Sequence, residues 1–442
     1  MKKHSVAHLG KAALVSLCAL SMAALAQAQT LAFVGVHLVG GAQDSALENA
    51  TVIVRDGRIA AVGQNLAVPK EATRIDGQGL WLSPGIVPAY SQLGLAEVDA
   101  VDRAEIGGEY GHDSKALFSA ALDVSTTVNA RSVNIAINRL DGVTRAIVGP
   151  SAAAATIFAG QGAAITLAAG AEPLQRRQLF QLISLDSMGA DIAGGPRAAA
   201  FLQFRNGLRE AMTATDLQAR ANRQSLFNPA DLLALRKLVS GETLALVHVQ
   251  RANDIMRVLE LRKDFPKLRL VLMGVNEGWL VADKLAAAKV PVILNAMDNL
   301  PESFDALAST SSNAGRLVQA GVPVALAMYN DNDARMLRSL PQHAGNLVAL
   351  TRLPGAVGLR EAQALATITR VPAEIFGLDS GVVAVGKRAD LLLWDGNPLE
   401  LTSAVRGVWI DGVAQPMVSR QTLLRDRYHP GQTGDLPPAY RR

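Results

Sequence analysis

Two patterns of hydrophobic and polar positions alternate along the chain. From Leu31 to Trp81, short alternating or apolar runs are punctuated by Gly, Asp and Asn, as in LAFVGVHLV and ATVIVRDGRIAAVG. Period-two alternation bounded by turn residues predicts strands, and Asp56-Gly57 between two runs of strand formers predicts a hairpin. The same pattern returns in SGVVAVGKRADLLLWDG and AVRGVWIDGVAQP, with Asp411-Gly412 as its turn. Matching ends predict one small composite β-sandwich formed by both termini, residues 29–83 and 379–420.

Residues 84–378 follow the second pattern, in which short apolar runs alternate with stretches whose apolar residues recur every three or four positions, such as ANDIMRVLELRKDF and NEGWLVADKLAAA. The eight strand candidates are 84–90, 142–149, 163–168, 179–186, 243–249, 268–274, 290–296 and 322–328. Strands alternating with helices predict an α/β fold, a parallel (β/α)8 TIM-like barrel whose site sits at the C-terminal strand ends. The third and fourth strands carry the weakest pattern.

The first 28 residues read differently again. Lys2, Lys3 and Lys11 precede an apolar run from Ala12 to Leu25 that ends in Ala26-Gln27-Ala28. That grammar predicts a cleavable signal peptide, too short to span a bilayer, and so a periplasmic or secreted protein with no membrane attachment after cleavage. Cys18 is the one cysteine and lies in this segment. The remaining chain therefore has no thiol nucleophile, disulfide or cysteine zinc site. The net charge of +4 includes the three signal lysines. A remainder this near neutral, without a basic run, argues against a nucleic-acid partner. PGQTGDLPPAYRR, within the last stretch 421–442, predicts a tail.

Three passages carry a resemblance. PGIVPAYSQLG is similar to the first-strand motif of the amidohydrolase superfamily, Pro-Gly-Leu-Ile-Asp-Ala-His-x-His-Leu-Gly. GKRADLLLWDGNPLE resembles its C-terminal motif, and EAQALATITRVPAEIFGL looks like the helix after its last barrel strand. The chain is thereby identified as similar to the exported imidazolonepropionase-like branch. The resemblance implies hydrolysis of a non-peptide C–N bond (amide, imide or lactam) in a small molecule. It also implies one or two divalent metals (zinc, iron or manganese) that lower the pKa of bound water to about 7.

The ligand positions depart from that pattern. Tyr90 and Gln92 stand where the His-x-His pair would be, Met273 where strand six ends in His, and Tyr329 where strand eight ends in Asp. Phenol, amide and thioether are poor donors for the metals of hydrolysis beside imidazole and carboxylate. No lysine occurs between Ala116 and Arg236, which excludes a lysine-bridged metal pair; Glu172 and Glu210 have no strand context. His248 alone occupies a customary ligand position, so the expectation is one metal or none. Asp331 would reach the site if the last strand slipped by two residues, while a polar turn accounts equally for Asp331 and Asp333.

His112, Asp113 and His343 have no spacing that completes a new site. FAGQGAAITLAAG lacks the lysine of a phosphate loop. Asn276, Glu277 and Trp279 lie beyond strand six, where helix capping or substrate contact would use them. Two function classes therefore remain open. One is an enzyme acting through His248 with one metal, or through acid–base chemistry of Tyr90, Tyr329, Asp331 and His248. The other is a catalytically inactive barrel that binds a small molecule or pairs, as homo- or hetero-oligomer, with an active relative.

Overall fold

The computed structural model describes residues 30–97, 118–150, 156–213, 225–329 and 336–428. The signal segment, Cys18, His112, Asp113, Asp331, Asp333 and the tail beyond Tyr428 lie outside these residues. No helix among the described residues is long and apolar enough to cross a membrane.

Both ends of the chain build one eight-stranded mixed sheet. Its strands are β1 (Leu31–Leu38), β2 (Leu47–Arg55), β3 (Arg58–Gln64), β4 (Thr73–Asp76), β5 (Trp81–Pro84), β13 (Leu391–Trp394), β14 (Val405–Ile410) and β15 (Val413–Ala414). The order is β15-β14-β13-β5-β1-β2-β3, with β4 also on β1. The hairpin at Asp56-Gly57 forms, with both residues at positive φ as a tight two-residue turn requires. Asp411-Gly412 makes the same turn between β14 and β15.

The second sheet is the barrel. It runs β6 (Arg145–Val148), β7 (Phe158–Thr166), β8 (Leu174–Ser184), β9 (Leu244–Val249), β10 (Leu270–Gly274), β11 (Val292–Leu294) and β12 (Val324–Leu326) in sequence order. Residues 86–91 close it. They bridge at Ile86 to Val143, just ahead of β6, and at Ser91 to Val148 of β6, and Ala89 N donates to Leu326 O at 3.2 Å on the other side. The strand expected over 84–90 is thus divided: Pro84 ends β5 in the terminal sheet, and Pro88, which lacks an N–H, interrupts the barrel stave.

One direction differs from the expectation. β7 runs antiparallel to both β6 and β8, while β8 through β12 are parallel. All nine residues of β7 are buried, so its sequence has no alternation from which to read a face, and periodicity carries no sign of direction. The reversal places the N-terminal end of β7, rather than its C-terminal end, at the mouth.

Cross-strand register defines the lumen. His248 lies in register with Ser184 and Met273, Met273 with Ile293, and Ile293 with Ala325. Two residues below, Leu182, Leu246 and Val271 form the next layer. Met273, Ile293 and Ala325, with Leu182, Leu246 and Val271, belong to a buried cluster with Ala89, Tyr90, Ile147, Phe180 and Phe376. The lumen below His248 is therefore a packed apolar core, as expected where inward residues of parallel strands stack in layers.

Candidate active site

His248 is the penultimate residue of β9, at the C-terminal rim, where its side chain is mostly enclosed. Its Nδ1 lies 3.2 Å from Asp186 Oδ2. Asp186 follows β8 and caps the helix Ser187–Ile192, accepting from Gly189 N. Burial pushes the Asp186 carboxyl up, but the charge and hydrogen bond of His248, with that of the Gly189 amide, outweigh it and hold the group below its ordinary range. Burial also works against a charged His248. Asp186, helped by the charge of Asp298, outweighs that and raises its proton affinity.

The other ring nitrogen, Nε2, faces Gln250 Nε2 at 3.1 Å. Beyond Gln250 stands Asn276. Only one orientation of its amide avoids setting oxygen against oxygen; it puts Asn276 Nδ2 3.1 Å from Asp298 Oδ2, 3.1 Å from Gly274 O and 3.2 Å from Gln250 Oε1. Gln250 Oε1 then accepts, Gln250 Nε2 donates to His248 Nε2, and His248 Nδ1–H donates to Asp186. A continuous chain Asp186–His248–Gln250–Asn276–Asp298 thus crosses the ends of β8, β9, β10 and β11.

The backbone at the centre of this chain is unusual. Gly274 has φ +89°, and a Cβ there would stand 2.7 Å from Gln250 Oε1. Val275, buried and β-branched, has φ +52°, a strained conformation for such a residue. The turn leaves room for the Gln250 amide and carries Asn276 toward Asp298.

Asp298 sits on the loop after β11. Burial, then repulsion from Glu302, raises its carboxyl to about 6, against the Asn276 hydrogen bond and the His248 charge. Tyr329 packs edge-on to His248, with ring centroids 5.8 Å apart. Burial and then the charges of Asp298 and Glu302 push its phenol up, partly offset by the Asn295 backbone. That backbone contact falls short of ordinary hydrogen-bond geometry, and the Tyr329 hydroxyl is enclosed without a partner that meets it.

Of the residues singled out in the sequence, His248 and Tyr329 come together at the rim. Met273 packs into the lumen, and Gln92 is buried at the end of the first stave. Tyr90 is buried beside Phe180 and donates to Pro150 O. His343 lies on the outer helix Leu340–Ala349. Glu277 bridges two backbones, accepting from Ala252 N and Ala308 N, and Trp279 donates to Ala308 O. These two brace loops, whereas Asn276 faces the site. Asp186, Gln250 and Asp298 escape sequence reasoning; for Asp186 the available signal was its place at the end of the run LFQLISLD.

Comparison with known proteins agrees with the architecture. The amidohydrolase family profile matches residues 229–422. Imidazolonepropionase of Aromatoleum aromaticum is 27% identical over 408 residues, covering 84% of this chain and 92% of that protein. Residues 229–422 are thus similar to the amidohydrolase family, and the likeness to the imidazolonepropionase extends over most of the chain. Amidohydrolase tasK of Hapsidospora irregularis is 27% identical over 214 residues, 46% of this chain, which spans only 21% of that protein's length. The crystal structure of an amidohydrolase from Thermotoga maritima shares the fold with a TM-score of 0.74 at 22% identity, over 87% of this chain and 99% of that one.

The described residues do not fit the metal centre that the amidohydrolase resemblance implies. Tyr90 is committed to the Pro150 carbonyl, and burial disfavours its phenolate. Met273 is an apolar lumen residue, and the Nε2 lone pair of His248 is covered by Gln250. Among the described residues no group of three or more His, Cys, Asp or Glu could hold an ion.

Proposed function

We propose that the chain hydrolyses a non-peptide C–N bond, in an amide, imide or lactam, through His248 rather than through a metal pair. The observation that carries this reading is the Asp186–His248 pair at the strand-end rim, where barrel enzymes place their chemistry. The match of residues 229–422 to the amidohydrolase family, and the near full-length likeness to a protein named imidazolonepropionase, support C–N hydrolysis as the reaction.

The steps follow from the two ring nitrogens. A bound ligand displaces Gln250 from Nε2, and a water held there loses a proton to Nε2 as its oxygen bonds to the carbonyl carbon. Asp186 accepts from Nδ1–H and stabilises the imidazolium. The Nε2 proton then passes to the leaving nitrogen as the C–N bond breaks. General acid–base catalysis of this kind contributes about 10²- to 10⁴-fold, so turnover slower than that of a metal-loaded relative is expected.

The test is hydrolysis of hydantoin, succinimide and 2-pyrrolidone by the full chain, with and without chelator. Turnover that survives chelation and is lost in His248→Gln supports the reading; turnover abolished by chelator and restored by zinc or manganese sinks it. Binding without turnover would favour a second reading, a catalytically inactive barrel serving as small-molecule binder or partner of an active relative. The packing of Tyr90 and Phe180 in the lumen is what favours that alternative. Export through the N-terminal segment belongs to the same proposal.

A further inference from the structure

Two observations about the rim concern which ligand it accepts, and both rest on His248 marking the site. The first is charge. Asp186 and Asp298 stand at the rim, Glu302 repels Asp298, and His248 when protonated is the positive charge that acts on Asp298. Asp186 already pairs with His248 at 3.2 Å, so the charge of His248 is shared and the repulsion between Asp298 and Glu302 is left largely uncompensated. The second is the loop that carries Asp298. It exposes Leu300, Phe304 and Leu307, at 70%, 87% and 61% of their surface. It is also pinned at its far end, where Asp305 accepts from Ser187 N at 2.7 Å and pairs with Arg197. A fixed loop therefore presents acceptor oxygens and apolar surface side by side, and no guanidinium or ammonium among its residues.

Asn276 is what aims the carboxylate. Its amide takes one oxygen of Asp298 at 3.1 Å, which leaves the other oxygen for an outside donor. The strained Gly274-Val275 turn holds Asn276 there. Strain retained at a strand end beside a polar chain marks a place where geometry is held for a ligand.

We propose that Asp298 is a specificity-determining carboxylate, which accepts an N–H of the ligand and excludes ligands bearing an anionic group, while the adjoining loop receives an apolar substituent. The ligand class is a small N–H-donating amide or imide without a carboxylate. Like charges brought together at a recognition site discriminate strongly against the wrong partner.

The probes are 5-benzylhydantoin and hydantoin-5-acetic acid, which share a ring and differ in an apolar against an anionic substituent. Binding of each to the full-length protein and to Asp298→Asn is followed by calorimetry at pH 7.5, with hydrolysis assayed in parallel. The benzyl compound is expected to bind at least about tenfold more tightly than the acid, and Asp298→Asn to shrink that ratio by about tenfold. Asn276→Leu, which leaves the charge in place but frees its orientation, is expected to weaken the benzyl compound while still rejecting the acid. Preference of the wild type for the acid, a ratio unchanged in Asp298→Asn, or binding of neither compound overturns the proposal. Selective binding without hydrolysis would sink the catalytic reading and leave the specificity assignment standing.

Discussion

Arg145 on β6 grips Asp390, just ahead of β13, with Nε donating to Oδ2 at 2.6 Å and Nη2 to Oδ1 at 3.1 Å, both side chains almost wholly buried. Asp390 also receives Asp411 N on Oδ1, and its backbone oxygen receives Gly85 N. One carboxylate therefore ties the barrel to the terminal sheet. Burial disfavours the guanidinium charge, but Asp390 and then Asp411 outweigh that and raise its pKa. Asp390→Ala would leave the buried guanidinium with only the partly exposed Asp411 as counter-charge, expected to cost about 3 kcal/mol in urea unfolding. Asp411→Ala, at a partly exposed partner, is expected to cost less.

Gly149 clears space for two rings. A Cβ there would stand 2.5 Å from Tyr90 Cε2 and 2.8 Å from Phe180 Cζ. Gly149→Ala is expected to destabilise by about 1–3 kcal/mol through overpacking. Tyr90→Phe should cost about 1 kcal/mol by losing the bond to Pro150 O. Because the alanine already displaces the Tyr90 ring, the double variant should cost less than the sum. An additive result would mean that the ring does not move.

The resemblance of the C-terminal motif is explained by that architecture: Asp390 of GKRADLLLWDG serves the join between sheets and not the chemistry. The strand ends were legible because apolar runs bounded by turn residues survive without their ligands, and His248 was found at the end of one of them. The direction of β7 was not legible, since a strand buried on both faces has no alternation. Nor was Asp298. MDNLPES reads as a polar turn, and nothing local links it to Gln250 and Asn276, 48 and 22 positions earlier in the chain. Partnerships over such separations are made by the closing of the barrel, which a linear pattern does not encode.

Export is checked at the N-terminus. If Ala26-Gln27-Ala28 is a processing site, the protein recovered from the periplasm or medium of a bacterial host begins at Gln29. Ala28→Leu should leave the longer chain unprocessed, because cleavage requires a small residue there. Full-length protein confined to the cytoplasm would remove the reading.

Arg197 binds two nearly buried carboxylates, Asp254 at 3.2 Å and Asp305 at closer range. It joins the start of the helix Arg197–Thr213 to the loop of Asp298 and to the helix Ala252–Asp264. Arg197→Met would leave both anions facing each other without a cation. A loss of about 3 kcal/mol is expected from breaking a buried pair, with faster amide exchange confined to the 298–311 loop and its neighbours. Exchange that rises uniformly over the whole protein would show instead that the network serves the global fold.

Asp298 should make the protein less stable where it is ionised. Its native carboxyl titrates near 6, above the ordinary carboxylate value, because burial and Glu302 oppose its charge. Below about pH 4 both the native and the unfolded chain hold this proton, and the group does not affect stability. As pH rises, the unfolded chain ionises first. The native state then falls behind until about 6, above which the full penalty persists. Asp298→Asn keeps the shape and removes the charge, so it should stabilise by about 1–2 kcal/mol at pH 7.5, allowing for partial solvent screening. At pH 4 it should change little. Urea unfolding at the two pH values measures the difference directly. A carboxylate kept at a strand-end rim against its own stability cost is what a site maintained for binding or chemistry predicts; equal stability of the two proteins at pH 7.5 would show that Asp298 is solvated like any surface acid, and would remove the argument that its position is held for a ligand.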